Sequence, residues 1–439
     1  MFNTMKNAWR IPDLRKKILF TLFIVIVFRF GSVIPVPFLD IEALRALMAS
    51  VEESGSALSL INMMTGGAFS QATLFAMGIT PYINSSIIIQ LLTVAIPALE
   101  RLAKEGEEGR KKIGAITRYV TIILGLLQGI AFFFYLHNSG ITLYTKGFSA
   151  VFAAIVIILA FTAGTALLMW LGEQINEKGI GNGISIILFT GIVARMPVTV
   201  EQLWVYFKAA IDDPSNYAKY FVFVPIFILL FLVVIWVIIY MNDAERRLPV
   251  QYAKRVVGRK MYGGQSTYIP IKVGMSGVMP VIFASSILSI PSTIKFFMGD
   301  AGNTPGWSAF FNALSSTGWL YSVLYFFMII VFAFFYITIQ YNPIEMANNL
   351  RQNNGTIPGI RPGRPTSEFI AKILSKITLI GALFLAFIAL LPIIYGNLTG
   401  MINLTLGGTS VIIMVGVALE TVKQIESQMM LRHYKGFLD

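Results

Sequence analysis

The run Phe227-Ile228-Leu229-Leu230-Phe231-Leu232-Val233-Val234 has no polar side chain. It lies inside a longer apolar stretch, 219–241, which ends against a basic segment, 242–272. About 20 consecutive apolar residues cross a bilayer core as a helix. Stretches of this kind recur at 18–36, 72–96, 114–137, 149–172, 183–201, 274–298, 318–341, 370–392 and 405–426, giving ten predicted spans. The fold class they predict is an all-α polytopic membrane protein. Spans six and eight, the latter with Phe326-Phe327-Met328-Ile329-Ile330-Val331-Phe332, have no polar face and are predicted to look at lipid.

Positive charge alternates between the connections. Lys6, Arg10, Arg15, Lys16 and Lys17 precede the first span, and Arg101, Lys104, Arg110, Lys111, Lys112 and Arg118 cluster between spans two and three. Cations return in 242–272 and 341–376, whereas the other loops hold scattered Arg45, Lys146, Arg195, Lys208, Lys219 and Lys295. The positive-inside rule then puts both termini in the cytosol of a multi-pass protein.

Composition agrees. Hydrophobic residues make up 56% of the 439 and charged residues 13%, with a mean hydropathy of +0.72. A soluble fold is excluded on those figures. The net charge of +12 falls almost wholly on the inferred cytosolic face, where anionic lipids or acidic macromolecules are the expected partners. With no cysteine, disulfide and thiol chemistry are excluded. Ile18–Ile34 lacks a small-residue cleavage site and runs into Pro35-Val36-Pro37, so it is read as a span.

Spans two and seven differ from the rest. One carries Asn84, Ser85, Ser86 and Gln90, the other Ser276, Ser285, Ser286, Ser289 and Thr293. Polar side chains at membrane depth face a cavity or another helix, so these two helices are candidates for lining a wet space. Leu58–Phe75 is too polar to span and too apolar for an exposed loop, with Gly66-Gly67 breaking any helix. Two readings stay open: a short half-helix tucked into an outer cavity, or a helix lying on the bilayer surface. In the 242–272 loop, 250–255 and 266–271 alternate around Gly263-Gly264, predicting a hairpin off the membrane. The 341–370 loop, with Pro343, Gly355, Pro358-Gly359, Pro362-Gly363 and Pro365, is turn-rich. Five spans on each side of 202–218 suggest two halves, which an odd span number would make inverted repeats.

Enzyme signatures are missing from the spans. His137 stands at the very end of span three and His433 lies outside the spans, and no paired carboxylates stand mid-membrane. Metal hydrolysis and serine-nucleophile chemistry both need such groups. Lys178-Gly179-Ile180-Gly181-Asn182-Gly183 lacks phosphate-loop spacing and reads as a tight cytosolic turn. Arg29, inside span one, reads either as an ion or substrate site or, preferably, as a cation pairing with a polar group near the outer boundary or snorkelling to it. Ile79 and Ile83 share one helix face, which by itself means core or lipid contact.

Gly78-Ile79-Thr80-Pro81-Tyr82-Ile83-Asn84-Ser85-Ser86-Ile87-Ile88-Ile89-Gln90-Leu91-Leu92 resembles the second span of the SecY family, the channel subunits of the bacterial protein translocase. Gly172-Glu173-Gln174-Ile175 with 179–183, Tyr252-Ala253-Lys254-Arg255 with Gln265-Ser266-Thr267-Tyr268-Ile269-Pro270, and Asn342-Pro343 through Pro358-Gly359-Ile360-Arg361-Pro362-Gly363 resemble its successive cytosolic loops. The similarity covers essentially the whole chain, in order.

The resemblance implies a clamshell of two inverted five-helix halves, 1–201 and 219–439, joined by an external hinge loop 202–218 around a central pore. It implies a plug on the outer side formed by Asn62, Met63, Met64, Thr65, Gly66, Gly67, Ala68, Phe69, Ser70 and Gln71. A pore ring would comprise Ile79, Ile83, Leu188, Ile282 and Ile413, with Leu188 standing where isoleucine is expected. Spans two and seven become a lateral gate with Ser86, Gln90, Gln128 and Ser286. Arg246, Arg247, Lys254, Arg255 and Arg361 fall at cytosolic positions that meet the ribosome and the SecA ATPase. Arg364 departs from the family pattern and is given no role. The implied partners are small membrane subunits resembling SecE and SecG, SecA, the ribosome, signal sequences and nascent polypeptides, besides anionic lipids. No cofactor is implied, and the implied location is the bacterial cytoplasmic membrane.

The physics of such a channel matches the residue inventory. A pore for many polypeptides needs no charged midplane site, and a narrow aliphatic ring excludes ions by dewetting. Without a nucleotide motif, energy must come from a partner, which gives the basic loops a purpose. A secondary transporter with inverted repeats is the alternative. It would be expected to carry an intramembrane carboxylate or cation site, and the spans offer only Arg29 and Glu420.

Overall fold

The computed structural model describes all residues except 1–5, 7, 54–61, 63–64, 253–254, 258–259, 263–265, 299–303, 315–317, 400–407 and 436–439. The described chain is mostly helical. Helix α1 (Pro12–Gly31) is followed by α2 (Ile41–Glu53), α3 (Thr80–Ala95), α4 (Pro97–Lys104), α5 (Glu107–Asn138), α6 (Phe148–Lys178), α7 (Gly183–Ala194), α8 (Met196–Asp212), the single turn α9 (Pro214–Tyr217) and α10 (Tyr220–Asp243). A strand region follows, with β1 (Glu245–Tyr252), β2 (Arg255–Val257), β3 (Lys260–Tyr262) and β4 (Ser266–Lys272). The remainder is α11 (Met279–Met298), α12 (Pro305–Ala313), α13 (Trp319–Gln340), α14 (Pro343–Gln352), β5 (Gly355–Thr356), α15 (Arg364–Thr399) and α16 (Gly408–Lys435).

Among the described residues seven helices are long and apolar enough to cross a membrane, or eight if the bent pair α3–α4 counts as one span. That pair turns by 100° at Ile96, whose extended backbone (φ −107°, ψ 114°) precedes Pro97. Proline disfavours helical geometry in the residue before it, so the chain leaves the helix there. Helix α1 is apolar in its centre but carries Arg15, Lys16 and Lys17 at one end and Arg29 at the other. In α11 the apolar part is Met279–Pro291. The glycine-rich 179–183 segment is a tight turn as expected. Gly181 takes φ +89°, and the Asn182 side chain caps α7 by accepting from the Ile184 and Ser185 amides.

Helices α3, α5, α6 and α7 pack in succession, with α1 against α6 and α7. Helix α15 packs against α13 and α16, α13 against α11, and α10 against α16. The strongest pairings that cross between these groups are α7 with α16 and α5 with α11. At the basic end of α1, Leu14 and Ile18 share a small core with Ile180 and Ile425 of α16.

Residues 202–218 are largely helical, since α8 runs on to Asp212 and α9 follows from Pro214. One sequence expectation needs correction. Span eight is not lipid-facing all round. Helix α13 buries Tyr321, Tyr325, Ile329, Phe332, Ala333 and Ile337, and Ile329 is 0% exposed. A helix that is apolar on every side can turn one face to neighbours and the other to lipid. Span six divides in the same way, burying Val224, Phe227, Val234 and Ile238 while Leu229, Leu232 and Trp236 are each more than 60% exposed.

The expected hairpin is present. Strand β1 pairs antiparallel with β4, Arg246 opposite Ile271 and Leu248 opposite Ile269. Strand β5 of the other large basic connection adds to the free edge of β1, giving the order β4-β1-β5. Leu248, Val250 and Ile271 from the hairpin share one core with Leu350, Ile357, Ile370 and Leu374. The two basic loops are therefore one folded lobe.

Candidate functional site

The five aliphatic side chains at 79, 83, 188, 282 and 413 come from four helix regions and all belong to one large buried core, which extends to Ile329 and Phe332 of α13. Each is at most 5% exposed. Ile79 precedes α3 and accepts from the Ile83 amide at 3.1 Å, so the two stack one turn apart. Leu188 comes from the middle of α7, Ile282 from the start of α11 and Ile413 from the start of α16.

A cavity of about 600 Å3 opens beside this cluster. Ile83, Leu188 and Ile282 form part of its wall, and Ser86, Gln90, Asn176, Asn182 and Ser276 give it polar groups. Lys272, Glu420 and Lys423 also line it. Their closeness to the β hairpin and the basic ends of the helices makes this the lobe side of the molecule. A polar, roomy cavity thus borders three of these aliphatic side chains.

The polar residues of the second and seventh spans divide their roles. Ser86 and Gln90 line the cavity. Ser85 is buried and turned the other way, contacting the Thr121 hydroxyl and the Thr117 carbonyl of α5. Ser285 and Ser289 return their hydroxyls to carbonyls of their own helix, the ordinary way a serine is satisfied in an apolar surrounding. Ser286 and Gln128 are half-buried. They stand on α11 and α5, the helices that pack together across the structure, but neither lines the cavity.

On the far side of the cluster lies the segment anticipated as a plug. Met63 and Met64 lie outside the described residues. Asn62 is helical, and from Thr65 to Ile79 the backbone is a succession of turns. Gly66 and Gly67, at φ +68° and +89°, adopt left-handed conformations that a helix cannot contain. The turns are held from within. The Gly67 amide donates to the Asn62 carbonyl at 2.8 Å, the Ser70 amide to Asn62 Oδ1 at 3.0 Å, and the Ser70 hydroxyl to the Gly67 carbonyl at 3.0 Å. Asn62, Thr65, Ala68 and Phe69 are buried, while Gly66, Gly67, Ser70 and Gln71 are half-buried. The segment is thus tucked into protein, which decides against the surface-helix reading for its described part.

Two close approaches seat it. A Cβ on Gly66 would stand 3.1 Å from the Cα and carbonyl oxygen of Gly191, one turn beyond Leu188. Thr65 lies against Gly78, the residue before Ile79. Behind these contacts the chain is stapled to the end of α1. The Val36 amide donates to Ala72 and the Leu74 amide to Ile34, at 3.0 and 2.9 Å, and Phe75 stacks on Phe28 at 5.9 Å.

Arg29 is half-buried and donates from Nη1 to the Gly66 carbonyl at 3.5 Å, in line with the preferred reading of a cation paired with a polar group. The sequence reading missed Arg195. Grouped there with loop cations, it is buried at the joint of α7 and α8, its Nη1 3.8 Å from where a Gly67 Cβ would be. The signal was its place inside the apolar stretch 183–201.

Of the expected docking residues, Arg246, Arg247 and Arg361 are exposed on the lobe. Arg247 pairs with Glu245 at 2.7 Å and stacks over Tyr268 at 4.7 Å. The hydrogen bond that Arg247 donates to Glu245, helped by Tyr268, raises the guanidinium pKa above its ordinary value. Lys254 lies outside the described residues, and Arg255 begins β2. Arg364 opens α15 and pairs with Glu368 one turn on. Among the described residues no group of His, Asp or Glu is gathered to hold a metal ion.

The SecY family model matches residues 73–422. The protein translocase subunit SecY of Streptomyces scabiei is 44% identical over 447 residues, covering 100% of both chains. Among solved structures, a SecY protein whose plug domain stabilises the closed state of the translocation channel and maintains a membrane seal aligns with a TM-score of 0.64. It is 18% identical, with 97% of each chain covered. Sec61 in the canine ribosome-channel complex from the endoplasmic reticulum aligns with a TM-score of 0.60 at 17% identity, again with 97% of each chain covered.

Proposed function

The chain belongs to the SecY family, and from that premise we propose that Ile79, Ile83, Leu188, Ile282 and Ile413 form the seal of its pore. The protein is a channel subunit of the protein translocase, a multi-pass membrane protein and not an enzyme. It passes unfolded secretory polypeptides and releases hydrophobic segments sideways into the membrane. The transporter alternative gains no support from any relative.

The observation that carries the seal is the junction of a polar cavity with buried aliphatic side chains drawn from separate helices. Aliphatic side chains that close a narrow passage exclude water and ions without binding any one substrate. A translocating chain has only to part them. Residues 62–71 act as the plug, seated outside the ring by glycine contacts at 78 and 191. Ten spans in two inverted halves, 1–201 and 219–439, open about 202–218. The lateral gate lies along spans two and seven with α5 beside them, and it uses Ser86, Gln90, Gln128 and Ser286.

The folded lobe carries the docking surface for the SecA ATPase and the ribosome, through Arg246, Arg247, Lys254, Arg255 and Arg361. Joining both basic loops in one sheet favours this role, since a rigid platform loses less conformational entropy on binding than two mobile loops. Small membrane subunits resembling SecE and SecG, together with anionic lipids, complete the surroundings. Both termini lie in the cytosol and the membrane is the cytoplasmic one.

The cysteine-free sequence offers a direct test. Single cysteines at 79, 83, 188, 282 and 413 should each crosslink to a cysteine in a stalled secretory precursor. Cysteine at 329, equally buried but not among the residues that line the cavity, should not. Crosslinking at 329 alone, or at none of the ring positions, overturns the assignment.

A further inference from the structure

Two arginines stand at the plug, and the pore chemistry just described uses neither. Arg29 reaches it from α1 and Arg195 from the joint of α7 and α8. Arg29 Nη1 lies 3.5 Å from the Gly66 carbonyl oxygen and 3.2 Å from where a Gly66 Cβ would stand. Arg195 Nη1 approaches the next residue, Gly67, at 3.8 Å from its Cβ position. Gly66 and Gly67 are therefore held at the point where the plug also touches the Gly191 backbone.

We infer that Arg29 and Arg195 form a two-sided latch that holds the plug in its closed seat and draws it back after each translocation. A guanidinium at membrane depth is costly unless its donors find acceptors. In the closed state the Gly66 carbonyl is one such acceptor, and a hydrogen bond from a charged donor is stronger than one between neutral groups. The plug's other polar groups are largely satisfied inside its own turns, so it can leave as a unit. When it leaves, Arg29 loses its acceptor, and that loss favours return. The bare glycines are part of the device. Without side chains the backbone comes close enough to be gripped, and a side chain at 66 would meet both Gly191 and Arg29.

The inference rests on the reading of 62–71 as a plug, and the test separates the two. Resting ion conductance is measured in planar bilayers for Arg29→Gln, Arg195→Gln and Arg29→Lys. Each is made in the full-length chain and in a chain lacking 62–71. Gly66→Ala is made in the full-length chain, as a variant that disturbs the same contact without touching a charge. The latch predicts a resting leak raised about tenfold by Arg29→Gln, an equilibrium change of ~1.4 kcal/mol. It predicts a smaller rise for Arg29→Lys, a rise for Arg195→Gln and Gly66→Ala, and no further rise when the plug is already gone. An equal added leak in the plug-deleted chain overturns the latch. So does an unchanged leak in the full-length chain, or failure of the Arg29 variants to accumulate in both backgrounds, which would make the residue purely structural. If deleting 62–71 produces no leak at all, the plug reading fails instead.

Discussion

Gln251 in β1 is the ladder partner of Thr356 in β5, 105 positions further along the chain, and the Thr356 hydroxyl donates to the Gln251 carbonyl at 3.3 Å. This contact binds two separate cytosolic connections into one lobe. Arg361 follows β5 by a few residues, exposed, between turn glycines 359 and 363. Its backbone is fixed by the Thr366 hydroxyl, which donates to the Arg361 carbonyl at 2.9 Å. The lobe thus displays the charge on a rigid base.

Arg361→Glu should block translocation while leaving the protein folded. The side chain is exposed, so charge reversal weakens partner binding and not packing. A loss of tenfold or more in translocation rate, ~1.4 kcal/mol of partner affinity, is expected at normal membrane abundance. Normal secretion by a normally abundant variant refutes the docking role.

The lobe also marks where sequence reasoning stops. The β1–β4 hairpin was legible because its residues alternate around glycines. The addition of β5 was not, because Gly355–Thr356 is too short to carry any period. Among the described residues, seven spans, or eight with the bent pair, were legible from hydropathy. Which face of each span meets protein was not, since lipid and protein interior select the same side chains. Ile329 and Leu232 read alike, yet one is 0% and the other 61% exposed. Ser85 and Ser86 are neighbours with opposite surroundings, a difference set by helix rotation. Residues 62–71 were proposed as a plug on resemblance, but the turns of their described part depend on the positive φ of two glycines and on the Asn62 contacts, which no periodicity records.

Deleting Asn62–Gln71 should leave an assembled channel that leaks ions. The stem that follows stays anchored through Ala72 and Leu74 to the end of α1, so the surrounding helices keep their support. Resting conductance in planar bilayers should rise at unchanged abundance. Unchanged conductance counts against the plug.

Ile329→Asn should destabilise the protein without making it more permissive. The side chain sits in the interior next to Tyr325 and Phe332 on α13. Replacing it removes roughly 1.5–3 kcal/mol of apolar burial and leaves an amide without partners, at about 1–3 kcal/mol more. Membrane abundance and the melting temperature in detergent should both fall. Wild-type levels of both would show that this face of α13 tolerates water.

The account turns on the ring, and one measurement reaches it directly: export of a precursor with a weakly hydrophobic signal sequence, in Ile83→Asn and Ile282→Asn. Closure buries aliphatic side chains against one another, worth roughly 1.5–3 kcal/mol for each one fully buried. An amide at either position hydrates the constriction and removes part of that term. A shift of ~1.4 kcal/mol raises the open population about tenfold. Both variants should therefore export the weak precursor several times faster than the parent chain, at comparable abundance. If they only lose abundance, as Ile329→Asn should, then Ile83 and Ile282 are ordinary core and the ring is not the seal.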